Sequence, residues 1–485
     1  MLFNSYLFVL FFLPACILGY YTINHFKKYE LAQFFLLAMS LWFYAYFNIS
    51  YLFIILGSIA VNYCICLFFR HISGAKARKA LLLIGLLLNI GILIYYKYMD
   101  FFIRNINAVF RKEYALWGIL LPLGISFFTF QQLSFVIDAY KREVPEYSLL
   151  YYASFVTFFP QLVAGPIVTH DELVPQFLDR ERKRIDWDYM AEGIYIFVLG
   201  LSKKVLLADT FGNAVNWGYG HIEKLDSTNA LIVMLAYTIQ IYFDFSGYCD
   251  MAAGIGRMFH VDLPQNFRSP YQAVLITDFW DRWHMTLTRF FTRYVYIPLG
   301  GNRKGTGRTY LNMMIVFLAS GFWHGANWTF VFWGVCHGAF MVVTRCFGKF
   351  FQKIPKVINW MITFLFVNVM WIFFRADSMA DAWLFLGRIT AWDFGKIRGS
   401  ILGKFRLTEI DFLLERLKIE MEADSPLILI LFFAFSMLII LGCRNVYGRT
   451  EKFRASVFKI LVSAGLLVWC IFNFSGISTF LYFNF

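Results

Sequence analysis

Apolar runs of membrane-spanning length recur along the whole chain, and no other feature restricts its fold so strongly. They occupy residues 2–24, 31–69 (room for two), 80–96, 115–137, 191–208, 228–243, 310–348 (again two), 357–374, 425–443 and 455–475. Each approaches the roughly 20 residues a helix needs to cross a bilayer core, which predicts about eleven or twelve spans. Unsatisfied backbone groups are costly in hydrocarbon and alternation with period two is absent, so helices are expected rather than barrel strands. Composition points the same way: 59% of the 485 residues are hydrophobic and 15% charged, too little polar surface to coat several soluble domains. The first run, "MLFNSYLFVLFFLPACILGYY", lacks a basic leading region and a small-x-small cleavage site, so it is predicted as a helix rather than a signal peptide.

The net charge of +13 is carried by short loops such as "RHISGAKARK" (70–79), "DRERKR" (179–184) and "RNVYGRTEKFR" (444–454). Positive-inside orientation accounts for this pattern without a nucleic-acid partner. Lys27 and Lys28 then lie inside, as does the 444–454 loop, and the last span delivers "TFLYFNF" to the outer face. The eight cysteines sit mostly in apolar segments and read as buried thiols. The expected organisation is a single membrane domain, 1–485, with one polar insertion at 376–424. Within that insertion "EIDFLLERLKIEMEA" has helical spacing.

Between residues 150 and 340 the apolar pattern is interrupted by Pro, Gly, His, Asp and Arg. Irregular backbone at membrane depth persists only where protein or a water-filled cavity satisfies it, so this region is the candidate site. "FFPQLVAGPI" (158–167) predicts a re-entrant segment with Gln161 at its turn. In "YFDFSGYCDMAAGIGRMFHVDLPQNFRSPY" (242–271), Asp250 and Arg257 are about two helical turns apart and share a face. "TDFWDRWHMTLTRFFTRYVYIPLGGNRKG" (277–305), taken as a helix, places Asp281, Thr288 and Arg289 together, with Arg282 and Arg293 pointing elsewhere and "PLGGNRKG" as a cytoplasmic turn. His324, in "ASGFWHGANWTFVFWGVCHGAF", lies in a stretch without Asp, Glu, Lys or Arg from Arg308 to Arg345. An ionisable group at that depth is a functional candidate by default, and a neutral imidazole is the form a general base needs. Gly321 and Gly325 flank it and allow close approach of another backbone or a substrate. His337 is thirteen residues on, too far along a helix to share a metal with His324; with no H-E-x-x-H or cysteine knuckle, no metal is expected.

The segments "FFPQLVAGPI", "QNFRSPY", "FWDRWHMTLTRFFTRYVYIPLGGNRKG", "GFWHGANWTFVFWGVCHG" and "WIFFRADS" (371–378) resemble the membrane-bound O-acyltransferase family, strongest over 150–378. The branch they are most similar to is the bacterial one that serves alginate acetylation and teichoic-acid D-alanylation. The resemblance implies an all-α polytopic fold, with re-entrant and interfacial helices around a central funnel. It implies His324 as the catalytic histidine and His284 as a second functional one. It further implies an acetyl group taken from a cytoplasmic donor, acetyl-CoA, and relayed across the bacterial inner membrane for O-acetylation of an extracytoplasmic polysaccharide. Its partners would be an SGNH-type acetyltransferase and the polysaccharide synthesis machinery, with no permanently bound cofactor.

Acyl transfer needs a base for the hydroxyl proton and a donor for the developing oxyanion. Trp323, Asn327 and His284 are candidates for the second task, and Asp281, Arg282 and Gln161 are further candidate substrate contacts. In the absence of a phosphate loop, CoA falls to cytoplasmic Arg303 and Lys304. Phe480, Tyr482 and Phe485 match an F-x-Y-x-x-F ending found on a small companion protein of the D-alanylation system. The match implies Tyr482 as an acyl acceptor; an interfacial aromatic belt is the other reading. A D-alanyl relay, or a transporter with a histidine-lined path, are the alternatives, the latter without the inverted repeat common in that class.

Overall fold

The computed structural model describes residues 1–418, 422, 425–446, 453–476 and 479–481. Every apolar run yields long helix: α1 (Phe8–His25), α2 (Tyr29–Ala45), α3 (Ile49–His71), α4 (Ala75–Phe110), α5 (Ile125–Lys141), α6 (Trp187–Ser202), α7 (Ser227–Met258), α8 (Thr306–His324), α9 (Trp328–Cys346), α10 (Lys356–Arg375), α11 (Leu427–Gly442) and α12 (Val457–Phe472). Six of these, α1, α3, α4, α7, α9 and α10, are long and apolar enough to cross a membrane by themselves, and α11 and α12 are shorter apolar helices. No strand occurs among the described residues; one antiparallel bridge joins Phe267 and Trp283.

The centre is α7, 32 residues long and buried along most of its length, with α6 packed against it. Glycines set that crossing. A β-carbon on Gly200 would lie 2.7 Å from the Gly247 carbonyl oxygen, and one on Gly193 would lie 2.6 Å from that of Gly254. Two small-residue contacts seven positions apart on each helix let the backbones meet, which is how helices associate where water does not drive them. Charge then locks the pair. Lys203 reaches Asp250 at 2.6 Å and Arg257 pairs with Glu192, so Asp250 and Arg257 share the α6-facing side as predicted.

Two expectations give way to tertiary geometry. The 115–137 run becomes helix only at Ile125, because Pro122 and Gly124, the latter at φ +71°, break the backbone before it. The 277–305 stretch is not one helix. It divides into Ile276–Trp280, Met285–Phe291 and a π-type turn at Thr292–Tyr296, then a turn over residues 297–304. His284 sits at the division with φ +49°, a left-handed conformation that histidine adopts more readily than bulkier residues. Among its described residues the polar insertion holds three short helices, Met379–Thr390, Gly399–Leu402 and Thr408–Arg416.

Candidate active site

His324 is the last residue of α8. Gly325 follows in extended conformation, and Asn327 caps the start of α9 by accepting from the Thr329 N–H at 3.2 Å. A helix that stops inside the protein leaves its final carbonyls without partners. Here they are satisfied from α4, where a π-type turn at Ile94–Tyr98 presents two consecutive side chains to the same end of α8. Lys97 Nζ donates to the carbonyls of Trp323 (2.6 Å) and His324 (3.1 Å) and to Ser126 Oγ (3.3 Å), while Tyr98 Oη donates to the Phe322 carbonyl at 2.6 Å. A cation at a helix carboxyl end is also favourable for the helix dipole. Replacing Lys97 with Met should therefore cost about 1–3 kcal/mol through unpaired carbonyls and loosen His324. The expected result is a thermal midpoint several degrees lower, with Lys97→Arg recovering part of the loss.

The imidazole of His324 is buried among aromatic rings, with centroids 5.0 Å from Trp323, 5.3 Å from Trp333 and 5.1 Å from Phe374. The His284 ring is 6.5 Å away, so residues forty positions apart form one histidine pair. His284 is held by Asn266 from the "QNFRSPY" segment. That segment and "WDRWH" meet at the Phe267–Trp283 bridge, with the Arg268 N–H donating to the Arg282 carbonyl (2.9 Å) and the Met285 N–H to the Asn266 carbonyl (3.0 Å). Asn266 Oδ1 accepts from the Thr286 backbone N–H at 3.2 Å, and a backbone N–H can only donate. The atom 3.1 Å from His284 Nδ1 is therefore the acceptor oxygen, so Nδ1 carries the hydrogen and Nε2 keeps its lone pair. Asn266 Nδ2 in turn donates to Cys249 Sγ at 3.3 Å.

A cavity of about 870 Å³ lies beside the α8–α9 connection; neither histidine lines it, but Gly325, which follows His324, does. It is lined by the last part of α4 (Tyr95–Arg104), the α8–α9 connection (Gly325, Ala326, Asn327), Phe330, and Phe374 through Asp377 at the end of α10. Lys204, Gln240, Thr479 and Leu481 close it. Phe374 lines it while its ring packs on His324. A smaller depression of about 290 Å³ lies beside the 297–304 turn, lined by Trp280, Asp281, Met285, Thr288, Arg289, Thr292, Arg293 and Ile297. The expected grouping of Asp281, Thr288 and Arg289 is present there, and Arg293 joins it instead of pointing away. From that turn α8 runs 19 residues, roughly 28 Å, to His324.

The remaining sequence candidates are distributed as follows. Trp323 is buried and stacks on Phe130 at 5.2 Å, and its Nε1 has no hydrogen-bond partner among the described residues. Asn327 lines the cavity, with Nδ2 donating to the Asp377 carbonyl at 2.7 Å. Gln161 is buried away from the cavity, with Nε2 donating to the Phe155 carbonyl at 2.9 Å, and it follows a helix broken at Phe158. Arg282 pairs with Asp278 at 2.7 Å. Arg303 and Lys304 are exposed on the turn and line neither cavity. Gly321 meets Gly334 of α9, a backbone approach as anticipated. His337 accepts from Trp280 Nε1 at 3.2 Å, and no cluster of metal-ligating residues occurs among those described. Tyr482 lies outside the described residues.

The model of the family described as MBOAT, membrane-bound O-acyltransferase, matches residues 119–380, more than half of the chain, including both histidines. The chain belongs to the membrane-bound O-acyltransferase family. It is accordingly an acyltransferase and a multi-pass membrane protein. It is 42% identical to a peptidoglycan O-acetyltransferase of Helicobacter pylori, over 79% of this chain and 78% of that one. It is 38% identical to a probable alginate O-acetylase of Pseudomonas aeruginosa, over 79% and 74% of the two chains. Similarity to a teichoic acid D-alanyltransferase of Bacillus subtilis is lower, 27% over 49% of this chain and 62% of that one. Of the residues around the histidine pair, Lys97 and Asn266 were absent from the sequence candidates. Lys97 carried a signal, a cation directly after the 80–96 apolar run. Asn266 carried none, because its role arises from a bridge between distant segments.

Proposed function

We propose that this membrane-bound O-acyltransferase takes an acetyl group from acetyl-CoA at the cytoplasmic face of a bacterial inner membrane and relays it outward for O-acetylation of a cell-envelope polysaccharide. The observation that carries the reading is the buried histidine pair whose immediate neighbours line two different openings: Met285, which follows His284, lines the small depression, and Gly325 and Phe374, beside His324, line the large cavity. Charge supports the direction. The starts of α4 (Lys76, Arg78, Lys79), α8 (Arg303, Lys304, Arg308) and α10 (Lys353, Lys356) are basic, and the cavity lies at the opposite end of all three. An acetyl rather than D-alanyl cargo is favoured by the greater identity to the two O-acetylating relatives.

In this mechanism the thioester enters from the basic side, with Arg303 and Lys304 within reach of its phosphates on the exposed turn. The acceptor hydroxyl is that of Tyr482, approaching from the cavity. His324 removes its proton as the phenolic oxygen attacks the thioester carbonyl. The carbon–sulfur bond then breaks, and the thiolate of CoA leaves with the proton that His324 returns. His284, with Nδ1–H fixed by Asn266, orients the pair; the indole N–H of Trp323 is a donor for the oxyanion. The tyrosyl acetate is handed outside to a sugar hydroxyl, through an SGNH-type transferase working with the polysaccharide synthesis machinery. Intact-mass spectrometry tests the reading: purified protein exposed to acetyl-CoA should gain one acetyl group on the peptide containing Tyr482. Absence of that gain, with acetyl-CoA left unconsumed, would sink it.

A further inference from the structure

Lys204, in the π-type turn that ends α6, holds more than the helix beside it. With 2% of its side chain exposed, it reaches Asp244 Oδ1 on α7 at 2.6 Å and Asp209 Oδ1 at 2.8 Å. Its ammonium also donates to the Thr479 carbonyl at 3.2 Å and lies 4.7 Å from the centre of the Phe480 ring. The other Asp244 oxygen accepts from the Leu481 backbone N–H at 2.9 Å. Phe480 is buried edge-on against Tyr248, with ring centroids 4.7 Å apart. Lys204, Asp209, Thr479 and Leu481 all line the cavity beside His324.

An ordinary helix–helix ion pair accounts for Lys204 with Asp244 and for nothing more. It does not require a further ammonium hydrogen and the second carboxylate oxygen to be directed at the backbone of one three-residue stretch. A cation on a C=O and an anion on the N–H two residues later fix both the position and the direction of that stretch, through charge-assisted hydrogen bonds in a site of low exposure. The Phe480 ring between them supplies buried apolar area and a face for the ammonium.

The geometry points to Lys204 and Asp244, supported by Asp209, as positioning residues that seat segment 479–481, directly before the proposed acceptor in the chain, along the cavity wall. The docking stands on its own contacts; its catalytic purpose rests on the reading of Tyr482 as acceptor. A held acceptor reacts at a high effective concentration, whereas one on a released segment is diluted through the volume the segment sweeps.

Hydrogen–deuterium exchange of the full chain in detergent, with fragmentation that isolates the Leu481 amide, tests the clamp. That amide should exchange at least about 100-fold more slowly than an unprotected one, and Lys204→Gln and Asp244→Asn should each speed it about tenfold or more. Lys203→Gln, which breaks the neighbouring pair with Asp250 without touching the segment, should leave it unchanged. Free exchange of Leu481 in the unsubstituted protein overturns the proposal without recourse to any variant, and so does undiminished protection in both variants. In the same variants kcat for acetylation of the segment should fall about tenfold while KM for acetyl-CoA stays constant. Protection without any acetylation would remove the acceptor reading and leave the clamp; full-rate acetylation in the variants would remove the positioning role and leave the acceptor.

Discussion

Replacement of His324 by alanine is expected to lower acetyl transfer from acetyl-CoA by about 10²–10⁴-fold, the contribution typical of a positioned general base. The chain should still fold, because the ring packs against Trp323, Trp333 and Phe374 while the backbone around it is secured independently. Lys97 and Tyr98 grip carbonyls rather than the imidazole, and the Asn327 cap restarts the chain three residues later. Alanine opens a void among those rings, so His324→Gln is the sharper companion: it keeps polar atoms in the space and removes the proton acceptor. Both variants should elute as the unsubstituted protein does, and both should lack acetyl on the chain after exposure to acetyl-CoA. His284→Ala should give a smaller loss if that residue orients rather than abstracts. Retained transfer in His324→Ala would mean that the base is elsewhere, with His284 Nε2 the next candidate.

The helices were legible because apolar length is a local property, and each run could be read without its neighbours. His324 was legible for a related reason: one imidazole in an apolar stretch has no local explanation. What the sequence withheld was contact between segments. His284 reaches His324 only because the chain turns through a left-handed residue, and a helical reading of 277–305 passes over that turn. Within "QNFRSPY" nothing local signals that the bridge from Phe267 to Trp283 aims the Asn266 oxygen at His284. The interruption of the α5 run was written in Pro122 and Gly124, and apolar averaging over 115–137 concealed it. The cavity, built from α4, the α8–α9 connection, the end of α10, Lys204, Gln240, Thr479 and Leu481, is a tertiary object throughout.

Tyr482→Phe is expected to abolish acetylation of the chain and reduce acetylation of the polysaccharide to background, with little effect on folding. The substitution removes one oxygen and keeps the ring, so it separates a chemical role from an anchoring one. An interfacial aromatic belt depends on the amphipathic ring and tolerates phenylalanine. An acyl acceptor does not, because the carbon–oxygen bond of the ester has no oxygen from which to form. The contacts that seat the preceding residues, Lys204 with the Thr479 carbonyl and Asp244 with the Leu481 N–H, involve backbone and survive the change. Water should not substitute for the lost step, because both histidine side chains are buried; release of free CoA should therefore fall along with acetylation. Unaltered polysaccharide acetylation in Tyr482→Phe would assign the residue to the membrane boundary. The acceptor would then be a hydroxyl brought by the polymer or its transferase, and the cavity of about 870 Å³ would have to admit it directly.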